Sequence, residues 1–323
     1  MIRTQEAALD APAIDLRTAP YPRVIAAIDF SPASLAGCRW ALAFVARGAD
    51  VLLSHVVPFE RQPGDGTGDF MTPSLVDSLR QISPALSGGL GGFAATLDAA
   101  GARTAVRVGS PSYWLDRLAT DFDASLVVVG RRQDAKRKRV GEANVVERLT
   151  RRTSRTVLVV PEGVVAAPRC IVAAIDDGPG AAEVLAAATV LATACRLPLL
   201  TLHVLPPASG TYDRVVNARG RAGSRSLRSG AGLLPVAPRV QDAVPWLATL
   251  ASDSPASAGS RLTLAVGDPA REIVAAGIAH GGGVLVVGKR GADESPVGSI
   301  GSVARELLAT SPLPVLAIDV PAH

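Results

Sequence analysis

One order of segments occurs twice along this chain, and a duplicated order of this kind leaves few folds open. An apolar run ends on Ile28-Asp29 and another on Ile175-Asp176; later runs carry His55-Val56 and His203-Val204. Gly109-Ser110-Pro111 is then matched by Gly267-Asp268-Pro269, and Gly130 by Gly288. The offset is 147 for the aspartates (176 − 29), 148 for the histidines (203 − 55) and 158 for both glycine pairs (267 − 109, 288 − 130). The second copy therefore carries about ten extra residues between its second and third strands, where a strand–helix alternation tolerates surface insertions. Residues 206–239, rich in Gly, Ser, Arg and Pro, are their expected seat, and that composition predicts a mobile segment.

Between the apolar runs the periodicity is helical. In the first copy it predicts strands over 23–29, 51–57, 104–108, 126–130 and 156–160. Helices are predicted over 33–47, 75–100 (loosened by Gly88 to Gly92), from Pro111, and over 144–152. Strands alternating with helices in this way imply an α/β fold: two tandem open parallel five-stranded sheets with helices on both faces, Rossmann-like in outline. The length of 323 residues suits two domains of about 150 residues each. The expected division is a flexible lead over 1–21, a first domain over 22–162, a linker over 163–167 and a second domain over 168–320. Hydrophobic residues make up 48% and aromatics 4%, so the core falls to Ala, Val, Leu and Ile, which suits buried parallel strands. Cys38, Cys170 and Cys195 form no close pair or metal-ligand spacing and read as reduced core thiols. No apolar block suggests a signal peptide or a membrane span, so a soluble cytoplasmic protein is expected. The net charge of +4 is mild.

The chemistry is expected near the C-terminus. Val284-Leu285-Val286-Val287 stops at Gly288, Gly291 follows, and nine residues later Gly301-Ser302 opens the helical pattern Val303-Ala304-Arg305-Glu306-Leu307-Leu308. A strand–loop–helix junction of this sort aims free backbone N–H groups and the positive end of a helix dipole at one point, and phosphate is its natural guest. The glycines also fit a tight turn that serves packing alone. No Lys-Ser/Thr pair follows the glycines as in a P-loop, and the junction is not after the first strand as in a dinucleotide fingerprint.

The spacing Gly-x2-Gly-x9-Gly-Ser, over Gly288, Gly291, Gly301 and Ser302, resembles the ATP-binding branch of the universal stress protein family, whose scaffold is adenine nucleotide alpha hydrolase-like. The resemblance extends over both copies. It implies that Ala174, Ile175 and Asp176 lie near the adenosine moiety, with Val204 flanking the base. Gly288 and Gly291 admit ribose and phosphates, and Gly301, Ser302 and Val303 hold phosphate oxygens; Arg290 adds a charge-assisted contact in this reading. Asp176 fits a turn or helix-cap aspartate as well, and His55 and His203 read as satisfied structural histidines.

The first copy departs from the pattern. Gln133 stands in place of the second glycine and Ala143-Asn144 in place of Gly301-Ser302. Asn144 and Glu147 read as a capping box that closes the helix N-terminus with the chain's own side chains, so this site is expected to be degenerate. The basic run Lys136 to Arg139, with Arg131, Arg132, Arg148, Arg151, Arg152 and Arg155 around it, is a solvated face, a phosphate attractor in another geometry, or a patch for an acidic partner. Nucleic acid is not expected, for want of aromatic interleaving. Asp293 and Glu294 are the candidates for approaching Mg²⁺ bound with the nucleotide.

The leading expectation is a nucleotide-dependent stress-response regulator that binds ATP in its C-terminal domain, with slow hydrolysis as its greatest possible activity. The alternative is a nucleotide-free interaction protein that uses the first domain's basic patch on an unknown protein partner. An adenylyl-transferring enzyme is disfavoured, because Asp176-Asp177-Gly178-Pro179 carries no serine–glycine phosphate loop. The resemblance to the universal stress protein family further implies that the two domains pair within the chain through their last strands, at 156–160 and 315–318, with homodimerisation open.

Overall fold

The computed structural model describes residues 20–58, 73–97, 101–132, 145–178, 180–205, 234–235, 261–290 and 299–320. In the first half β1 (Arg23–Ala27), α1 (Pro32–Phe44), β2 (Asp50–Pro58), α2 (Pro73–Ala94), β3 (Arg103–Gly109), α3 (Pro111–Asp121), β4 (Leu126–Arg131), α4 (Val145–Arg152) and β5 (Thr156–Pro161) follow one another. The second half has β6 (Cys170–Ala174), α5 (Ala181–Cys195), β7 (Leu199–Leu205), β8 (Leu234–Pro235), β9 (Arg261–Val266), α6 (Pro269–Ala279), β10 (Gly283–Gly288), α7 (Ser302–Thr310) and β11 (Val315–Ile318).

Each half is a parallel five-stranded sheet, in spatial order β3-β2-β1-β4-β5 and β9-β7-β6-β10-β11. The order reverses beside β1 and beside β6, and a crevice opens at such a reversal beyond the carboxyl ends of the strands. The two sheets join edge to edge, β5 antiparallel to β11 with Leu158 opposite Leu316, and with the two-residue β8 added antiparallel to β9 they form one sheet of eleven strands. The join of β5 to β11 is the pairing of last strands that the resemblance implies, and it removes two exposed edges at once. Alternation along the strands feeds two cores. Val24, Ala26, Leu158 and Leu316 face α1, α2 and α5; Ile25, Val157, Val315 and Ala317 face α3, α4, α6 and α7.

Three local readings change. Gly109-Ser110-Pro111 reads as a helix start with Ser as its cap; Ser110 does stand at the N-cap of α3 with Pro111 inside, but its hydroxyl lies 3.2 Å from that of Ser112 and makes no capping bond. Gly88 to Gly92 do not loosen α2, which runs on to Ala94 because Leu90 and Phe93 are buried beneath it and Phe30 lies close under Gly89. Within the insertion expected to be mobile, Leu234 and Pro235 pair antiparallel with Leu264 and Thr263; the rest of 206–239 lies outside the described residues.

The seam between the halves carries a contact that the sequence reading lacks. Arg131, which follows Gly130, donates to the carbonyls of Ala309 and Ser311 at the end of α7. Its counterpart Lys289, which follows Gly288, donates to the carbonyls of Thr153 (2.6 Å) and Arg155 (2.7 Å) just beyond α4. Each half thus places a cation on the negative end of the other half's last helix, where terminal carbonyls lack intrahelical partners. Glu147 and its counterpart Arg305 also meet across the seam, Nε to Oε1 at 3.3 Å.

Lys289 is 2% exposed, and burial pushes its ammonium down to about 8 although Asp319 pulls it back up. Between that value and the ordinary 10.5 the unfolded chain holds a proton that the folded chain has released, so stability rises with pH there. Against a Lys289→Met variant, the wild type should gain on the order of 3 kcal/mol from pH 8 to 10.5 in urea unfolding. Below pH 8 the difference should be flat; a flat difference throughout would show that the ammonium is not paying for its burial.

Candidate functional site

The crevice of the second half is a cavity of about 490 Å³, within the usual range for small-molecule sites. Nine of the ten residues singled out from the sequence line it: Ala174, Ile175, Asp176, Val204, Gly288, Arg290, Gly301, Ser302 and Val303. The tenth, Gly291, lies outside the described residues, as do Gln133, the run Lys136 to Arg139, Ala143, Asn144, Asp293 and Glu294.

Local sequence explains the placement. The Ile175 N–H donates to the Leu202 carbonyl, carrying the β6–β7 ladder one residue beyond β6 and delivering Asp176 to the rim. His203 Nδ1 lies 2.8 Å from the Ile175 carbonyl, and His55 repeats the bond to Ile28 at 2.7 Å. A carbonyl only accepts, so Nδ1 carries the proton in both rings, and each histidine straps two strand ends together. Asp176 Oδ1 accepts from the Gly178 N–H at 3.1 Å, the turn geometry its sequence context allows, while the residue still lines the cavity. At the opposite wall the Gly301 N–H donates to the Lys289 carbonyl at 2.8 Å and pins the start of α7 to the end of β10. Gly301 has no side chain to cap the helix, so the first N–H groups of α7 open on the cavity beside the Ser302 hydroxyl. The walls between are apolar: Val184, Leu202, Ile273 and Ile300, of which only Ile300 lies in the glycine stretch the sequence pointed to. The others sit at inward positions of flanking elements, which helical and strand periodicity mark as core without distinguishing core from cavity wall.

Two of these residues also serve the chain's own packing. A Cβ on Gly288 would come within 2.8 Å of the Arg290 carbonyl and 3.3 Å of Val320, so the chain's own turn requires this glycine. Arg290 is largely committed as well: its guanidinium donates to the Val320 carbonyl and reaches Asp319 at 3.4 Å.

The equivalent crevice of the first half is not closed by its own side chains among the described residues. It is a cavity of about 630 Å³ between Ile28, Val56, Leu115 and Val146. Glu147, read from the sequence as half of a capping box with Asn144, pairs with Arg151 (2.5 Å) and with Arg305 across the seam; Asn144 lies outside the described residues. The described arginines around the run Lys136 to Arg139 have partners within the chain, several of them in exposed ion pairs. Arg131 clamps α7, Arg132 pairs with Asp29 and Arg152 with Asp116; Arg155 pairs with Asp123, and Arg148 also has a partner.

The family model described as "Universal stress protein family" matches the chain twice, over residues 20–161 and 169–319. The chain belongs to the universal stress protein family. Both halves of this universal stress protein are accounted for by that model, which matches the duplication seen in its sheet. A universal stress protein from Archaeoglobus fulgidus DSM 4304 has a similar structure, at 15% identity and TM-score 0.58, with 92% of this chain and 98% of that chain covered. A putative universal stress protein from Pseudomonas aeruginosa UCBPP-PA14 is similar at 14% identity and TM-score 0.52, with 93% and 94% covered. At these identities the likeness is one of fold. No curated protein matches the chain in sequence. Among the described residues no helix is long and apolar enough to cross a membrane.

Proposed function

We propose that the second half binds an adenine nucleotide, ATP, and that the protein acts in the cytoplasm as a nucleotide-dependent stress-response regulator. The carrying observation is the gathering of nine sequence-selected residues around one cavity that ends on an uncapped helix N-terminus. Its two ends suit the two ends of a nucleotide. Val204, Leu202 and Ile273 offer an apolar slot for a base; the N–H groups of Ser302 and Val303 and the Ser302 hydroxyl offer donors to phosphate oxygens, aided by the dipole of α7. Any Mg²⁺ would arrive with the nucleotide. Asp176 tied into its turn and His203 strapped to a carbonyl are positioning groups, and no general base is assigned; binding is the function, with at most slow hydrolysis.

Calorimetric titration of the full chain with MgATP tests this. A Gly301→Glu substitution puts a carboxylate at the mouth of the α7 N-terminus and should weaken binding at least tenfold, about 1.4 kcal/mol, with the fold intact by circular dichroism. Equal affinity in the two proteins would remove the site.

A further inference from the structure

We propose that Arg305 is a phosphate-binding residue of the second-half cavity that Glu147 of the first half holds in reserve, so that a bound nucleotide and the first half compete for one guanidinium. The proposal rests on the nucleotide reading above and adds to it a residue and a link between the halves. Arg305 lines the cavity. Its backbone N–H is spent on the Gly301 carbonyl at 2.9 Å, so only its side chain can serve an anion. That side chain folds back along α7: Nη2 donates to the Ile300 carbonyl at 3.2 Å, which brings the guanidinium beside the uncapped helix N-terminus, the end of the cavity that suits phosphate oxygens. The neighbouring cations are committed, Lys289 to the carbonyls of Thr153 and Arg155, and Arg290 to Val320 and Asp319. Arg305 is held more lightly. It is half-exposed, and its acidic partner lies 3.3 Å from Nε, an ion pair of the kind that contributes little to stability.

The register of the duplication places this pair. Glu147 and Arg305 are 158 apart (305 − 147), the offset that also relates Leu158 to the Leu316 opposite it. A residue meets its own counterpart only near the axis that relates the halves, where two identical copies would set like against like. This chain carries an acid in one copy and a base in the other, so the contact is attractive and ties the first half to the rim of the second half's cavity. Glu147 keeps a second cation, Arg151 at 2.5 Å, so its carboxylate stays paired when Arg305 leaves. A phosphate offers the guanidinium two coplanar oxygens, a better match than one contact at 3.3 Å. Binding free energies are reciprocal: the factor by which Glu147 weakens the nucleotide is the factor by which the nucleotide weakens the Glu147–Arg305 link, and the seam thereby registers whether the cavity is occupied.

The test titrates the full chain and three variants with MgATP by calorimetry, with ligand-free urea midpoints measured alongside. Arg305→Gln should weaken binding about tenfold. Glu147→Gln should tighten it about threefold without raising the urea midpoint, a gain in affinity that damage to the fold does not produce. In the Arg305→Gln background, Glu147→Gln should leave the affinity where it was, because it acts through Arg305. Three results would overturn the proposal and leave the nucleotide site standing: equal affinity in wild type and Arg305→Gln, no gain in Glu147→Gln, or a gain that persists without Arg305, the mark of a carboxylate that repels the phosphates directly. No binding of MgATP by the wild type would overturn the nucleotide reading and the proposal together.

Discussion

A Gly130→Val chain should lose about 3 kcal/mol of stability or more, while Gly88→Ala should leave stability unchanged or raise it by up to about 1 kcal/mol. Both residues are glycines in regular structure, yet their surroundings are opposite. A Cβ on Gly130 would land on the backbone of Ala33 and Ser34, the first turn of α1, and neither helix nor strand can yield without opening the core between them. Gly37 makes the reciprocal approach, its own would-be Cβ lying 3.1 Å from Gly130 Cα. Gly88 sits exposed in α2 with nothing within 4 Å, so a methyl group there costs no packing and removes backbone freedom from the unfolded chain. Urea midpoints of the two variants against the wild type decide the matter. Similar shifts in both would mean that β4 and α1 are not packed as closely as described.

The second large effect belongs to the seam. Leu316 is fully buried at the join of the two sheets, opposite Leu158, and both core layers run through this point. Leu316→Asp would bury a carboxylate with no cation placed to receive it, and should cost more than about 4 kcal/mol, enough to unfold the chain or prise the halves apart. Loss of a cooperative urea transition, or an enlarged radius of gyration in solution scattering, is the expected result. A variant within about 1 kcal/mol of wild type would show that the halves fold without the join.

The fold was legible because its signals are local and repeated. Apolar runs ending at Asp29 and Asp176, glycines after the fourth strand of each half and Pro at the start of α3 and α6 each follow from backbone chemistry at one position. The second cavity was legible for the same reason: among the described residues its polar wall comes from Gly288, Arg290 and Gly301 to Val303 plus two strand ends. What escaped depends on contacts distant in sequence. The clamps of Arg131 and Lys289 join residues more than 130 positions apart, and the only trace of them is that a cation follows the glycine in both copies while Thr153 answers Ser311 at the same offset. The ion pair of Glu147 with Arg305 escaped because the two residues lie in different halves. Gly288 and Gly130 show why a glycine alone does not assign a role. Glycine beside a phosphate and glycine beside a helix leave the same mark in a sequence, and only the three-dimensional neighbours separate the two.

Clamp and cavity lie side by side. Lys289 stands between Gly288 and Arg290, both at the cavity, and its carbonyl receives the Gly301 N–H that positions α7. Its ammonium holds the end of the first half. Gly288, Lys289, Arg290 and Gly301 thus join the seam to the cavity through a few neighbouring residues.

The most direct test of the whole account is a crystal structure of the full chain grown with a non-hydrolysable ATP analogue and Mg²⁺. The account predicts a nucleotide in the second half, its phosphates against the N–H groups of Ser302 and Val303, and no phosphate density beside Val145 in the first. Phosphates beside Val145, or an analogue absent from both halves at saturating concentration, would contradict it.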